Sequence, residues 1–537
     1  MRRSLVFLLF AGFACRDAMP PPSPAPHSVT ADMTAATAAP EGPYEIVDLG
    51  SLGGETFATA INNRGQITGT SVAGGGSHAF LWERGVMQDL GTLGGSLVKA
   101  TGLNEAGQVV GVSTTAGGDT RAFLWMGGAM QDLGAARVLG NYAFDGGCAT
   151  PFDPFLVGPT VTHRAEPAIN SHGDVAWTAP VAGTSATHAF LWSGGVAQDL
   201  GTLGGASSSA WTINDAGQVA GLSEVAGEAS PHVVLWDRGT AHDLGAVPPP
   251  RFPGDVFDGS PLVVGMNALG QVIVTARRNS SRAVLWDGSQ MVSLGAPPGA
   301  RTSDVVAIND AGQIAGTGIS EESYDGVHHP FLWANGAFQL LPEVSTPYAR
   351  DAVSAMNASG VVAGFRVAPL VGDYANGCHP LVWDGGLRWE LGTLGVGQSA
   401  LGAAINARGD VAGWSWTRRF FGTHAALWRR IIAVAVDVKP GDPDNVINRH
   451  SNGTTPVALL SSATFDATTA DRSTVTFAGA PALDQGGGPE DVNGDGLPDV
   501  VFHFATEALT LPEGTTEACL RGLTTDGASF KGCDSVR

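Results

Sequence analysis

Short runs of β-branched and aromatic residues, separated by Gly and Ser, recur from residue 44 to residue 430. The runs are too short for helices, and their residue types favour strands. In the first copy, strands are predicted at about Thr59–Asn62, Gln66–Ser71, His78–Trp82 and Val86–Leu90. Apolar residues fall on both faces of this four-stranded unit, so neighbouring units are expected to cover both of its sides.

Each copy carries two fixed points, a Trp and an Asn–Gly turn. An apolar run ends in Trp at eight places: Trp82, Trp125, Trp192, Trp236, Trp286, Trp333, Trp383 and Trp428. An Asn is followed three residues later by Gly at Asn62/Gly65, Asn104/Gly107, Asn170/Gly173, Asn214/Gly217, Asn267/Gly270, Asn309/Gly312, Asn357/Gly360 and Asn406/Gly409. Asn in first position and Gly in fourth position predict a type I hairpin turn with a Gly bulge.

The spacing of the copies predicts a β-propeller. Successive tryptophans lie 43 to 50 residues apart, except for a 67-residue interval before Trp192. This is the period of a four-stranded propeller blade, whereas the coils of the competing fold, a β-solenoid, are usually shorter. We therefore predict an all-β chain with an eight-bladed β-propeller of four-stranded blades at residues 44–432. Either Tyr44–Gly50 or Ile431–Val438 is expected to supply the last strand of the ring.

The repeat motifs resemble those of a known family. The H-A-F-L-W runs at His78–Trp82 and His188–Trp192 are accompanied by D-L-G-T-L-G-G and I-N-x-x-G-Q-V motifs. Together they look like the bacterial HAF-family extracellular repeats over most of residues 45–430. The resemblance implies an exported repeat protein and assigns no activity.

A cationic or titratable side chain stands four residues before every repeat Trp: His78, Arg121, His188, His232, Arg282, His329, His379 and His424. A ring of metal ligands or acid–base groups is one interpretation. Arg fits neither role and replaces His twice, so we favour structural pairing with carboxylates. The expected partners lie in the recurring D/E-L-G motif: Asp48, Asp89, Asp132, Asp199, Asp243 and Glu390.

Long insertions are all predicted at one end of the propeller, opposite the Asn–Gly turns. They fall at about Ala135–Pro167, Ala246–Pro261, Gly318–His328 and Arg366–Cys378. Their aromatic and acidic residues are candidates for ligand binding: Tyr142, Phe144, Asp145, Phe257, Tyr324, Asp325 and Tyr374. Long loops on a rigid scaffold often carry binding sites, although these loops could also simply cover the channel mouth.

The N-terminus has the pattern of an export signal. Arg2 and Arg3 precede an apolar run at Leu5–Phe13 that is too short to span a membrane. Ala14 before Cys15 resembles a lipoprotein cleavage site, with Cys15 as the lipidated residue. This predicts a signal peptide at residues 1–14, while a plainly cleaved signal is the alternative. Residues 15–43, rich in Pro, Ala, Ser and Thr, are predicted to form a disordered tether.

Charge and motifs limit the function classes. The formal net charge of −21 argues against nucleic acid as a partner, because a polyanion would be repelled. The sequence contains no G-x-S-x-G, H-E-x-x-H or P-loop motif. We therefore favour a function without catalysis. We also expect a monomer whose contact with a membrane is made through its lipid anchor alone.

Residues 433–537 are predicted to form a small β-rich, sandwich-like domain centred on D-V-N-G-D-G-L-P-D. Hard oxygen ligands for structural Ca²⁺ are predicted from Asp491, Asn493, Asp495, Asp499 and the carbonyl of Leu497. The motif resembles EF-hand and dockerin loops. Phe502 replaces the bidentate Glu of an EF-hand, so another ligand is required, with Glu490 and Glu507 as candidates.

Four cysteines remain if Cys15 is lipidated, and they allow three pairings. Cys519 and Cys533 lie close together in the last domain. Cys148 and Cys378 both lie in predicted insertions, and a bond between them would require both insertions to bend over the channel.

The sequence therefore predicts an exported binding or adhesion module, either a lipoprotein of the outer membrane or cell surface or a secreted protein. Its ligand would be an extracellular glycan or protein on the long-loop face. A propeller-based carbohydrate-active enzyme, such as a lyase or hydrolase, and a purely structural surface protein are the alternatives.

Overall fold

The computed structural model describes residues 42–137, 165–246, 261–276, 282–320, 327–343, 350–369, 376–395, 399–418, 421–484 and 488–537. These ranges are all-β, apart from short 3-10 helices at Ala467–Thr469, Arg472–Thr474 and Thr506–Ala508. No helix in the described ranges has the length and apolar character needed to cross a membrane.

Strand β1 (Tyr44–Asp48) is followed along the chain by eight sheets. Sheet 1 contains β2 (Thr56–Ile61), β3 (Ile67–Ala73), β4 (Gly76–Glu83) and β5 (Val86–Gly91). Sheet 2 contains β6 (Gly94–Leu103), β7 (Val109–Thr115), β8 (Thr120–Met126) and β9 (Ala129–Ala135). Sheet 3 contains β10 (Ala168–Ile169), β11 (Val175–Pro180), β12 (Thr187–Ser193) and β13 (Val196–Asp199). Sheet 4 contains β14 (Gly204–Ile213), β15 (Val219–Val225), β16 (His232–Asp237) and β17 (Thr240–Gly245).

The next four sheets repeat this order. Sheet 5 contains β18 (Pro261–Met266), β19 (Val272–Ala276), β20 (Arg282–Trp286) and β21 (Met291–Gly295). Sheet 6 contains β22 (Asp304–Ile308), β23 (Ile314–Ile319), β24 (His328–Ala334) and β25 (Ala337–Leu340). Sheet 7 contains β26 (Arg350–Met356), β27 (Val362–Pro369), β28 (Asn376–Asp384) and β29 (Leu387–Glu390). Sheet 8 contains β30 (Ala400–Ile405), β31 (Val411–Arg418) and β32 (Phe421–Ala433), and its fourth strand is β1.

Sheets 1 to 7 are each a four-stranded antiparallel meander, and sheet 8 completes the same pattern with β1, so the prediction of propeller-like blades is confirmed. The predicted first strand was placed too late, because β2 begins at Thr56 and Asn62 lies outside it. The Asn62 side chain ends the strand: its Oδ1 accepts hydrogen bonds from the backbone N–H groups of Arg64 and Gln66. Gly65 N–H donates to the Asn62 carbonyl, and its φ of +76° explains why the turn requires Gly.

The last strand of sheet 8 comes from the start of the described chain. β1 runs antiparallel to β32, with Tyr44 opposite Arg430 and Asp48 opposite Ala426. Of the two segments proposed for this place, the N-terminal one therefore occupies it. The end of β32, at Ile431–Ala433, instead pairs in parallel with a strand near the C-terminus.

The repeat Trp side chains fill the spaces between sheets. Trp82 of sheet 1 is buried with Ile67 and Phe80 against Ala412 and Leu427 of sheet 8. Trp236, Trp383 and Trp428 are also almost fully buried. Trp192, Trp286 and Trp333 are partly buried. Because a buried Trp removes roughly 150–250 Å² from water, the repeat tryptophans contribute strongly to packing between sheets.

The C-terminal segment, residues 433–537, has its own apolar core, which includes Phe477, Phe502, Phe504 and Phe530. Its strands are β33 (Val436–Val438), β34 (Thr454–Leu459), β35 (Thr476–Phe477), β36 (Ala480–Pro481), β37 (Val500–Ala505), β38 (Glu517–Leu523) and β39 (Ser529–Ser535). β33, β34 and β37 form one sheet, while β39 joins β38 to the end of β32. Cys519 and Cys533 face each other on β38 and β39 and form a disulfide.

Candidate functional site

The sheets present two different ends. The Asn–Gly turns and the tight turns that follow each repeat Trp lie at one end, which we call the turn end. The loops between second and third strands and the crossovers between sheets lie at the other, the long-loop end. The gaps in the described ranges between residues 138 and 420 all fall in connections at the long-loop end.

The predicted ligand-face residues belong to those connections. Tyr142, Phe144, Asp145, Phe257, Tyr324, Asp325 and Tyr374 all lie outside the described residues. Cys15 and Cys148 lie outside them as well. Cys378 is described, is fully buried and is disulfide-bonded. Its partner is not Cys519 or Cys533, which bond to each other.

Seven of the eight His and Arg side chains that stand four residues before a repeat Trp pair with carboxylates at the long-loop end, while the side chain of Arg282 lies outside the described part of the chain. His Nδ1 lies 2.8–2.9 Å from a carboxylate oxygen in His78–Asp89, His188–Asp199, His232–Asp243 and His424–Asp48. The separation is 3.4 Å in His329–Glu343 and His379–Glu390 and 3.9 Å in Arg121–Asp132. Structural pairing is thus confirmed for all six predicted partners, and Glu343 is an additional one.

The Asp of each D-L-G motif also shapes the crossover that follows it. Asp89 Oδ1 accepts a hydrogen bond from the backbone N–H of Gly91, and Asp243 Oδ1 does the same from Gly245. The N–H of Leu93, two residues further, donates to Ser113 Oγ in the next sheet. One carboxylate therefore fixes the His side chain and the start of the crossover, which explains why the motif recurs.

His232 is the most strongly paired of these histidines. Its Nε2 also lies 2.9 Å from Glu228 Oε2. Burial opposes protonation, but the hydrogen bonds that the Asp243 and Glu228 carboxylates accept from the ring outweigh it and raise the pKa of His232. Because both ring nitrogens are engaged by carboxylates, His232 has no free nitrogen for a metal ion.

Sheet 7 departs from the other sheets by burying a charged network that the sequence did not predict. Asp351 is 1% exposed and receives Arg366 Nε on one carboxylate oxygen at 2.9 Å and Arg388 Nε on the other at 3.0 Å. Arg366 also lies 3.5 Å from Glu390, the partner of His379. Arg366 stands where the first two sheets have Ser71 and Ser113, and this substitution was the available sequence signal.

The protonated form of two histidines beside this network, His328 and His379, is disfavoured. Burial, supported by the nearby Arg350, lowers the pKa of His328 to about 4. Burial also lowers the pKa of His379, although Glu390 acts in the opposite direction. At neutral pH the network therefore holds its charge mainly on Arg and carboxylate groups.

The predicted calcium loop is wound around Asp491. Asp491 Oδ1 accepts hydrogen bonds from the N–H groups of Gly494 and Asp495, and Oδ2 accepts one from Gly496. Asp495 and Asn493 are exposed, and their side chains hydrogen-bond to each other at 3.1 Å. These oxygens, with the Leu497 carbonyl, have the chemistry that Ca²⁺ prefers.

Asp499 differs from Asp491, Asn493 and Asp495 because its side chain is buried and accepts backbone hydrogen bonds. Its side chain is fully buried, with Oδ1 accepting from Ser461 N–H and Oδ2 from Val492 N–H. Within the described ranges, the one group of three His, Cys, Asp or Glu side chains close enough to share a metal ion is Glu517, Cys519 and Cys533. Because those cysteines form a disulfide, that group holds no metal ligand set.

Comparison with known proteins gives only distant likenesses. No protein-family model and no curated protein sequence matches the chain. TolB from Acinetobacter baumannii matches 60% of the chain and 79% of its own, at 11% identity and a TM-score of 0.28. A puromycin-hydrolysing peptidase from Mycobacterium tuberculosis matches at 12% identity and a TM-score of 0.38, and a prolyl endopeptidase at 9% and 0.39. These two matches span 67% and 73% of this chain but only 57% and 56% of the two peptidase chains. Similarity at this level assigns no function.

Proposed function

We propose that the chain is a binding or adhesion module whose ligand, an extracellular glycan or protein, docks at the long-loop end. The observation that carries this proposal is the asymmetry between the two ends. The strands that the longest connections join, residues 136–167 and 246–260, end and begin at the long-loop end. Arg84 and Arg408 at the turn end bond instead to the C-terminal segment. Variable loops on a rigid sheet scaffold are suited to recognition.

Binding arrays test this proposal. The full chain and a loop variant are applied to printed glycans and to a panel of extracellular matrix proteins. The variant replaces residues 246–260 with the G-T-L-G-G crossover of residues 201–205. We expect saturable binding that the loop variant loses and that the turn-end variant Arg238→Ala keeps. Product analysis of each hit reports turnover, which would favour the enzyme alternative. Loss of binding in Arg238→Ala alone would contradict a long-loop site.

The ring of eight blades is the second part of the proposal. Support comes from the pairing of β1 with β32 and from the shared core of sheets 1 and 8. Each repeat Asn also donates from its side-chain amide to a turn carbonyl of the following sheet, and Asn406 of sheet 8 donates to Asn62 of sheet 1. A ring of this kind leaves no sheet face uncovered.

The C-terminal segment is proposed to be a calcium-stabilised domain. Asp491, Asn493, Asp495 and the Leu497 carbonyl would hold the ion, while Asp499 anchors the loop to Ser461 and Val492. Bound Ca²⁺ would neutralise the carboxylates that converge on the Gly-kinked loop. The positive φ angles of Gly494 and Gly496, +78° and +85°, support a tightly wound loop.

Export and lipid attachment at Cys15 complete the proposal. The basic and apolar N-terminal pattern and the resemblance of residues 45–430 to extracellular HAF-family repeats support it. Cys15→Ser tests the anchor: the wild-type protein should partition into detergent with the membrane fraction, and the variant should be released. Equal partitioning of both proteins would contradict lipid attachment.

A further inference from the structure

The layer between sheets 6 and 7 contains buried nitrogen atoms without hydrogen-bond partners. In the described part of the chain, no partner is found for Arg366 Nη2, Arg388 Nη2 or His328 Nδ1. The two arginine side chains are only 14% and 11% exposed, so water does not readily replace a missing partner. Because unpaired buried donors are costly, above all on charged groups, three such atoms in one layer indicate an acceptor that the chain itself does not supply.

The packing of the two sheets brings His328 to Asp351. The Val353 N–H of sheet 7 donates to Thr317 Oγ1 of sheet 6 at 3.1 Å. Asp351 lies two residues from Val353 toward the long-loop end, and Ile319, which is opposite His328, lies two residues from Thr317 in the same direction. Side chains two apart on a strand share a face, and so do side chains directly opposite each other. His328 and Asp351 therefore face the same layer from its two sides.

The two arginines surround the same carboxylate. Arg366 Nε lies 2.9 Å from Asp351 Oδ1, and Arg388 Nε lies 3.0 Å from Asp351 Oδ2. Because a guanidinium group is planar and its nitrogens are close together, both unpaired Nη2 groups lie beside Asp351. The side chains of His379 and Glu390 are 25% and 31% exposed, so the layer is open to solvent where they lie.

Guanidinium and imidazolium groups are strong hydrogen-bond donors to anions. The charges of Arg366 and Arg388 are cancelled by those of Asp351 and Glu390, so one added negative charge is balanced when His328 takes up one proton. A divalent anion would leave excess negative charge in the layer. We infer that the layer between sheets 6 and 7 binds a small monovalent anion, with Arg366, Arg388 and protonated His328 as donors. The anion is either a free ion or the carboxylate of an acidic sugar.

The surroundings of His328 set the pH dependence of this site. On β26, Arg350 opposes the protonation of His328 and Asp351 favours it, while His329 on its own strand opposes it. The other charged or titratable groups of the layer are Arg366, Arg388, His379 and Glu390. An anion adds negative charge next to His328, so binding takes up a proton and affinity should rise by up to about ten-fold for each unit by which the pH falls.

Titration calorimetry of the full chain tests the site at about pH 5.5 and about pH 7.5. Sodium formate and sodium bromide represent free monovalent anions, sodium glucuronate represents a sugar carboxylate, and sodium sulfate represents a divalent anion. We expect a monovalent anion to bind more tightly at the lower pH. Buffers with different heats of ionisation should show proton uptake. Anomalous scattering from crystals grown with bromide should place the ion beside Arg366 and Arg388.

Three variants assign the roles of the side chains. Arg388→Lys keeps a positive charge near Asp351 but removes Nη2, so affinity should fall about ten-fold or more. His328→Gln should abolish both the proton uptake and the pH dependence of binding. His450→Gln, an exposed control, should leave affinity and proton uptake unchanged. If Arg388→Lys does not fold, His328→Gln and the position of bromide still test the site.

Each outcome supports or overturns the inference. Binding of formate or bromide without glucuronate identifies a free ion, and preferential binding of glucuronate identifies a sugar carboxylate. No binding of any monovalent anion, or a bromide ion found away from both arginines, would overturn the site. Preference for sulfate would overturn the monovalent class, and equal proton uptake in wild type and His328→Gln would overturn the role of His328. The site lies outside the long connections, so none of these results decides the proposed binding function.

Discussion

The side-chain amide of Asn406 donates a hydrogen bond to the backbone carbonyl of Asn62 at 3.2 Å, although 344 residues separate them. The same bond joins Asn214 to Asn267, also at 3.2 Å, between sheets that follow each other in the chain. The contact between the last and first sheets therefore has the geometry of an ordinary contact within the repeat.

Substitution of these asparagines tests ring closure. Asn406→Ala removes the bond to Asn62 and the turn bonds to the N–H groups of Arg408 and Asp410. Asn214→Ala removes the equivalent set and is the matched control. Buried polar groups left unpaired cost about 1–3 kcal/mol, so we expect similar losses in the free energy of unfolding, measured in urea. A clear loss in Asn214→Ala with almost none in Asn406→Ala would contradict a closed ring.

The turn glycines provide a second prediction. Gly312 has a φ of +75°, and the nearest atom to an added Cβ is Gln271 Oε1 at 3.5 Å, so a side chain fits but the backbone is strained. Gly312→Val should destabilise by about 1–3 kcal/mol, and Gly312→Asn by less, because Asn tolerates positive φ. Thermal unfolding compares the two variants. Equal melting temperatures for wild type and Gly312→Val would show that the turn does not limit stability.

The sequence was sufficient for features that depend on neighbours within one hairpin. The Asn–Gly turns, the repeat Trp and the pairing of His78 with Asp89 follow from local spacing. The bond from Asn62 to the carbonyl of Asn104 was not predicted, because it depends on how two sheets stack. The sequence nevertheless contains a recurring polar position in the turn that makes this bond. The residue four after the repeat Asn is Gln or Asp in every copy except the seventh, which has Val361.

Long-range contacts also limited the prediction of the candidate site. Asp351 meets Arg366 and Arg388 from three strands, and no short motif brings these residues together. In the predicted calcium loop, Gly496 was expected to permit a sharp turn, and the loop winds around Asp491. The motif gave no sign that Asp499 points into the fold, because that depends on Ser461, 38 residues earlier in the chain.

The C-terminal segment is expected to stabilise the seam between sheets 8 and 1. Its turn at residues 524–527 accepts a hydrogen bond from Arg84 of sheet 1 on the Thr525 carbonyl and one from Arg408 of sheet 8 on the Asp526 carbonyl, at 3.0 and 2.9 Å. Arg408 also donates to the Asn63 carbonyl of sheet 1. One segment is thus bonded to both sheets of the seam.

Arg84→Ala should therefore lower the unfolding free energy by about 0.5–1.5 kcal/mol, the usual value of one hydrogen bond. Arg238 is a close control: it occupies the same turn position in sheet 4, has a φ of +49° against +48° for Arg84, and its side chain is 94% exposed. Arg238→Ala should be neutral. Equal effects of the two substitutions would mean that the contact with the C-terminal segment adds no stability.

The pKa of His328 predicts part of the acid sensitivity. Burial lowers this pKa from 6.5 to about 4, so between these values the unfolded chain binds a proton that the folded chain does not. Stability is therefore lost as the pH falls through this window, by at most about 3 kcal/mol from this residue. His328→Gln should reduce the difference in unfolding free energy between pH 7 and pH 4.5, whereas His450→Gln, an exposed control, should leave it unchanged. Identical pH dependence in all three proteins would contradict a buried, neutral His328.

Calcium is expected to stabilise the full chain through the loop at residues 491–499. Asp491, Asn493 and Asp495 bring exposed oxygens to one turn, and without a cation their carboxylates repel each other. An ion that binds only the folded state adds about 2.7 kcal/mol when its concentration is one hundred times Kd. Addition of millimolar Ca²⁺ should raise the unfolding temperature of the C-terminal segment, and a chelator should lower it.

Two substitutions separate a calcium ligand from a fold anchor. Asp495→Ala removes an exposed carboxylate and should abolish the calcium-dependent shift while changing the calcium-free stability little. Asp499→Asn perturbs the buried bonds to Ser461 and Val492, so it should lower stability with or without calcium. Calorimetric titration of the wild-type chain provides a direct measurement of binding. If no heat is observed at millimolar Ca²⁺ and chelation leaves the unfolding temperature unchanged, the loop is held by its own hydrogen bonds and the calcium proposal is wrong.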